Sequence, residues 1–293
     1  MPLGAAPRMH EPQTSARPAP AKANLGQAGS QEELDDYNRL HEELDPAAKK
    51  NQIDDFANRY PDSGLLAYVY QEGVYLGRQL NRIDMMAEYG EKSLKLWPNN
   101  YTLLTELASA YVQRNRVEQA GEKAKQAIDL VTTAVKPPHI TEEQWVEEKK
   151  LLLASNYTTL GFMHLRRAQA SSDPAVRTNE AEYSVNPFER ALEYVPVDDY
   201  ALYGLGYAWV ILNEYRAAES NLAKAVAVGG IIMASARRLL EEIYRSRHDQ
   251  TLDGLDQVIA KAKADLGISG QSPSPHNGPS IPGPADAPAT LFK

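Results

Sequence analysis

Between residues 30 and 266, apolar side chains recur every three to four positions, and no stretch alternates apolar with polar residues as a half-buried strand would. That spacing gathers the apolar residues into one stripe on a helix surface, so it predicts a body of α-helices joined by short turns, an all-α fold. The punctuation agrees. Ser30 followed by Glu33, and Thr141 followed by Gln144, have the spacing of a capping box, while Asp45-Pro46 sets a capping side chain before a first-turn proline. Pro61-Asp62, Pro98-Asn99 and Pro196-Val197-Asp198 each combine a stop for one helix with a cap for the next, as short-looped helix pairs require. Residues 1–29 and 267–293 are rich in Pro, Ala and Gly with no period, and both read as disordered tails.

The helical pattern also repeats. Val74 and Ala108, Asn81 and Asn115, and Met86 and Ala120 are each separated by 34 positions, so three independent marks shift by one amount. Ala108 to Gly161 exceeds one such step by 19 residues, and Gly161 to Gly206 exceeds it by 11, which places insertions near 131–150 and 168–179. The first contains Pro137-Pro138 and then the capped start at Thr141, from which an over-long helix across 141–168 is expected.

On these residues the chain resembles the tetratricopeptide-repeat (TPR) family, whose helix pairs carry a large residue, Leu, Gly or Ala, Tyr, then Ala, Phe, Ala and Pro. In the repeat at 101–134 the matching positions are Leu104, Leu107, Ala108, Tyr111, Asn115, Ala120, Ala124 and Ala127. In the last full repeat they are Leu202, Leu205, Gly206, Trp209, Asn213, Ala218, Leu222 and Ala225, with Gly229-Gly230 in place of the terminal proline. Tyr157, Leu160 and Gly161 open a further repeat that recovers Phe188, Ala191 and Pro196 after its insertion. The copy at 67–98 keeps Tyr70, Val74, Asn81, Ser93 and Pro98 but has Gly73 and Gly77 where larger residues are usual, so looser packing is expected there. Residues 30–61 form a degenerate first pair, and 234–247 with 252–266 would cap the other end. The resemblance implies a right-handed TPR-type helical-repeat solenoid over 30–266, of about five helix pairs plus C-terminal capping helices.

In that family the first helix of each pair lines a concave groove. The resemblance therefore implies a partner-binding groove made by Tyr68, Gln71, Tyr75 and Arg78, then Thr105, Glu106, Ser109 and Gln113, then Thr158, Phe162 and Arg166, then Tyr200, Tyr203 and Tyr207. Such a groove would be tyrosine-rich and mostly uncharged, and tyrosine suits protein interfaces because it offers a large apolar area with a hydrogen-bonding tip. The competing reading is that individual tyrosines pack between adjacent repeats. Family members that grip a chaperone C-terminus use a Lys/Asn/Arg clamp; Gln71, Tyr75 and Glu106 stand at comparable places, so that specificity is not implied.

Charge and chemistry narrow the classes further. A formal net charge of −8 gives no concentrated Lys/Arg footprint for nucleic acid. With no cysteine there is neither a disulfide framework nor a thiolate site. No window approaches the ~18 apolar residues of a membrane span. The first thirty residues lack the apolar core of a secretory signal, so the chain as written reads as cytoplasmic; an upstream start before the Pro/Ala-rich 16–23 stretch would make it exported or periplasmic.

No Gly-rich phosphate loop is present, and Gly204-Leu205-Gly206 falls inside a helix as a packing feature. His10, His41, His139, His164, His248 and His276 are scattered without metal-ligand spacing, so no metal or cofactor is expected. Acidic pairs such as Glu142-Glu143 fit first-turn dipole compensation. Arg237-Arg238, Arg245 and Arg247 make a basic patch on the cap helix, read either as stems snorkelling over apolar surface or as a contact for an acidic partner. The function expected is a non-enzymatic scaffold that binds a protein or peptide segment. The alternative is an assembly subunit of a larger complex, for instance of the cell envelope, docked through the 141–168 helix and the C-terminal cap. An enzyme accessory whose insertions shape a site is the lesser alternative.

Overall fold

The computed structural model describes residues 25–268, so the tails expected at 1–29 and 267–293 lie outside the described residues except for their inner ends. Among the described residues there are twelve α-helices and no strand. They are α1 (Gln31–Glu42), α2 (Pro46–Arg59), α3 (Leu66–Gln79), α4 (Ile83–Leu96), α5 (Tyr101–Gln113) and α6 (Val117–Thr133). There follow α7 (Glu142–Ala170), α8 (Pro174–Tyr194), α9 (Asp199–Ile211), α10 (Tyr215–Val228), α11 (Met233–Arg247) and α12 (Leu255–Asp265). Helices pack in chain order, α3 on α4, α5 on α6, α7 on α8 and α9 on α10, while α5, α7 and α9 also meet side by side. Five pairs followed by α11 and α12 therefore form a helical-repeat solenoid in which each pair is buried by its neighbours.

The repeat spacing seen at Asn81, Asn115 and Asn213 has a backbone cause. These three residues have φ of 52°, 56° and 62° and close the α3–α4, α5–α6 and α9–α10 turns. In each, the next amide reaches back to the last helical turn: Arg82 N–H to Gly77 O at 2.7 Å, Arg116 N–H to Tyr111 O at 2.8 Å, and Glu214 N–H to Trp209 O at 2.8 Å. The left-handed residue satisfies carbonyls that the helix end would leave open, and asparagine tolerates it because its side chain is short and polar. Replacing Asn115 by Val is expected to destabilise the fold by about 1–2 kcal/mol, and by Gly to change it by less than about 0.5 kcal/mol. Urea unfolding checks this; equal losses for the two variants would assign the effect to the side chain instead of to φ.

The caps are partly displaced from their expected places. Thr141 and Gln144 make the full reciprocal box that starts α7, and Asp45 and Asp198 cap α2 and α9. Ser30 accepts from Glu33 N–H at 3.1 Å, but the Glu33 carboxylate accepts from Gly29 N–H at 2.7 Å and from the Ser63 hydroxyl, leaving that box half made. After Pro98 the cap is Asn100, one residue beyond Asn99. Asp62 caps nothing: the chain turns through Ser63, whose hydroxyl accepts from Leu65 N–H, and α3 starts at Leu66 without a side-chain cap.

Around 168–179 the extra residues are helical on both sides of a short turn at Ser171–Asp173, so they lengthen a hairpin. α7 runs for 29 residues and α8 for 21, and Asp173 with Pro174 opens α8. Between the two arms and α9 the glycines work by absence. Cβ atoms built on Gly161 would stand 2.6 Å from the Phe188 ring, and on Gly204 closer still, so the fully buried ring is clamped between two helix backbones. In α3–α4 the expected looseness is not found. The Tyr89 ring lies against Gly73, and Met86 stands 2.9 Å from where a Gly77 Cβ would be, so bulk has moved from the first helix of the pair to the second.

Candidate partner-binding face

The first helices α3, α5, α7 and α9 bring the fourteen groove positions into rows along their seams, with very different accessibility. At the α3/α5 seam Arg78 pairs with Glu106 and lies 5.6 Å from the Tyr75 ring centre. Tyr75 is 43 % exposed, and Gln71 beside it is half-buried. Gln71, Val74, Tyr75, Thr102, Leu103 and Glu106 line a shallow notch there. Burial, and then the Glu106 charge, raise the Tyr75 phenol above its usual range. Tyr68, half-buried, packs on Trp97 at 5.5 Å between ring centres.

At the α5/α7 seam Thr105 is buried, donating to Tyr101 O and accepting from Asn156 Nδ2 at 2.7 Å. Ser109 is buried and its hydroxyl has no partner among the described residues, and Gln113 is half-buried. At the α7/α9 seam the buried Thr158 hydroxyl donates to Asp198 at 3.0 Å. Phe162, also buried, meets Phe188 edge-on at 5.1 Å and Tyr200 at 6.5 Å. Tyr200 is half-buried, and its hydroxyl has no hydrogen-bond partner among the described residues. Tyr203 and Tyr207 stack at 6.4 Å and are each only 2 % exposed, and burial pushes the Tyr203 phenol up to about 12.

The tyrosine row is therefore divided. Thr105, Thr158, Phe162, Tyr203 and Tyr207 are packing residues between first helices, because α5, α7 and α9 approach closely enough to cover what lies between them. Tyr75 and Arg78 are exposed, and Tyr68, Gln71, Gln113, Arg166 and Tyr200 are partly so. Asn156, which ties α7 to α5 from a fully buried position, was not singled out from the sequence. Its signal was present: one amide inside the apolar stripe formed by Leu153 and Leu160 on the long helix.

Elsewhere the chemistry is dispersed. An open cleft of about 570 Å³ between α4 and α6 is lined by Asp84, Glu88, Glu91, Glu122, Arg116 and Lys123. Its charges answer one another, with Lys123 3.0 Å from Glu91 and the Tyr111 hydroxyl donating to Glu91 at 2.6 Å. His41, His164 and His248 each face a single glutamate, Glu72, Glu180 and Glu219 respectively. Among the described residues no three His, Asp or Glu side chains gather as metal ligands, and no helix is long and apolar enough to cross a membrane.

No protein-family model matches the chain, and no curated protein matches it. Among solved structures it is similar to one described as "Crystal structure of MamA protein", at 20 % identity and a TM-score of 0.46, over 70 % of this chain and 93 % of that one.

Proposed function

We propose that the chain is a non-enzymatic protein-interaction scaffold that takes an extended or helical segment of a partner along the face formed by α3, α5, α7 and α9. The observation that carries this reading is the set of accessible aromatic and polar side chains, Tyr68, Gln71, Tyr75 and Arg78 on α3, Gln113 on α5 and Tyr200 on α9, above a packed core. Helix backbones hold these groups rigidly, so little entropy is lost when a partner orders against them. Most of the described groups with raised pKa are tyrosines spread along the stack, not a nucleophile and base converging on one point, and this favours binding over catalysis.

Selection of random displayed peptides on the full chain tests the reading, with binders then measured against Gln71→Ala combined with Tyr75→Ala. Loss of an aromatic interface anchor is expected to weaken binding about 30-fold while circular dichroism stays unchanged. Binders that ignore the double variant would move the site off this face.

A second reading, an assembly subunit, draws on the long α7–α8 hairpin, where Val146, Leu151, Val176 and Tyr183 are exposed. Its mark is a salt-resistant complex of fixed stoichiometry, indifferent to Tyr75→Ala and broken by Val176→Asp with Tyr183→Asp.

A further inference from the structure

Two guanidinium groups toward the C-terminal end of the stack, Arg166 on α7 and Arg238 on α11, have no carboxylate partner among the described residues. Arg166 projects from α7 at the position four residues beyond Phe162, so it continues the stripe that faces α9. It is half-buried, its Nε is shielded from solvent without a hydrogen bond, and Nη1 reaches only Gln169 Oε1 at 3.3 Å. Arg238 is exposed on α11. Both positive charges act on the Tyr203 phenol, opposing the rise that burial causes.

The contrast with neighbouring arginines is informative. Arg78 on the same face is neutralised by Glu106, and Arg237, next to Arg238, is held by Glu241 and Asp256. A guanidinium withdrawn from water without a counter-charge is unfavourable. Burial accordingly draws Arg166 below its usual pKa. The group stays cationic at any physiological pH and keeps most of its donors free, a fork shaped for two carboxylate oxygens. In a chain of net charge −8 such an unanswered positive spot complements an acidic partner, which the rest of the surface would repel.

We infer that Arg166 and Arg238 together form a receptor for the Asp or Glu side chains of an acidic partner segment lying across the α7, α9 and α11 end of the stack. This rests on the inner-face reading above and adds the partner's chemistry. The carboxylate would restore to Arg166 the counter-charge that the fold withholds, and Arg238 would set the segment's direction. The arginine patch on the cap helix thereby divides, Arg237 serving the fold and Arg238 the partner.

The test uses the full chain and the same displayed random peptides. Selected binders are resynthesised with each Asp or Glu changed to Asn or Gln, and affinities are read by fluorescence anisotropy against Arg166→Gln, Arg238→Gln and Arg166→Lys. The expected result is enrichment of an acidic residue at a fixed position, and an affinity loss of about tenfold to hundredfold with Arg166→Gln. Arg166→Lys should recover part of it, and added acetate or inorganic phosphate should have little effect because neither brings the flanking contacts.

Arg238→Gln, an exposed change that leaves packing untouched, should weaken the same peptides and steepen no salt dependence. Binders lost with the Gln71/Tyr75 double variant but without acidic preference, and indifferent to both arginine changes, would overturn this inference and leave the scaffold reading standing. Binders displaced by phosphate alone and insensitive to Glu→Gln would mark a free-anion site and overturn it too. A selection that yields no binders would sink both.

Discussion

Adding one methyl group at Gly204 is expected to remove about 3 kcal/mol of stability, although alanine is the better helix former by about 1 kcal/mol. The clash outweighs propensity because the new Cβ would fall well under 3 Å from the Phe188 ring, and the ring has nowhere to retreat. On its other side the Gly161 backbone leaves 2.6 Å to where a Cβ would stand, and the side chain is fully buried. The same confinement makes Phe188→Ala cost about 3–5 kcal/mol through lost burial and an unfilled cavity. The two changes occupy one space, so Gly204→Ala combined with Phe188→Leu should lose less than the sum of the single variants. Urea unfolding of the four proteins decides the matter; strict additivity, or a gain from Gly204→Ala alone, would show that the ring is not clamped.

The second large effect lies in the α3–α4 pair. Tyr89→Ala is expected to cost about 3–4 kcal/mol, because its ring fills the space left by Gly73 and no neighbour can replace it. Tyr89→Phe keeps that packing and removes a hydroxyl that donates to Asp54 at 2.8 Å, a change of about 1 kcal/mol at neutral pH. Burial alone would raise the Asp54 pKa, but hydrogen bonds from Lys50 and Tyr89 together with the nearby lysine charges bring it below its usual value. A carboxylate whose pKa is lowered by folding contributes stability above its unfolded pKa and loses it as pH falls through the folded one. The gap between the native protein and Tyr89→Phe should therefore be full at about pH 7 and shrink between about pH 5 and pH 2, whereas the Tyr89→Ala deficit should persist. Denaturant titrations at several pH values measure both; a Tyr89→Phe gap that widens in acid would refute the assignment.

What could be read from the sequence follows from how local each constraint is. The asparagines at 81, 115 and 213 were legible because a left-handed residue is demanded by the turn itself, and its spacing survives whatever packs around it. Helix ends were legible to within a residue or a few, with Asn100 instead of Asn99 as cap and α3 starting after Ser63, because several polar residues near a boundary compete for one orphan amide.

The accessibility of the candidate face was not legible in the same way. Tyr75, Ser109, Phe162 and Tyr207 all directly follow the small or apolar residue of their first helix, yet they are 43 %, 1 %, 3 % and 2 % exposed. Register fixes the stripe a residue occupies. How closely the next first helix approaches decides whether that stripe reaches solvent, and this distance depends on residues a full repeat away. The exchange between Gly73 and Tyr89 belongs to the same class: Tyr89 stands where the next repeat has Lys123, and only the pair together reveals that bulk has changed sides.

The turn chemistry sets where this chain can grow. An asparagine-closed pair ties a specific amide to a specific carbonyl, so a residue added there breaks the closure and shifts the second helix out of phase. The α7–α8 turn has no such tie: Asp173 and Pro174 start a new helix wherever they stand. Length added at that tip moves outward, away from every contact that Gly161 and Phe188 make below it. The tip is thus a natural point of insertion, where a lineage could lengthen the hairpin or graft a new recognition element without renegotiating the stack.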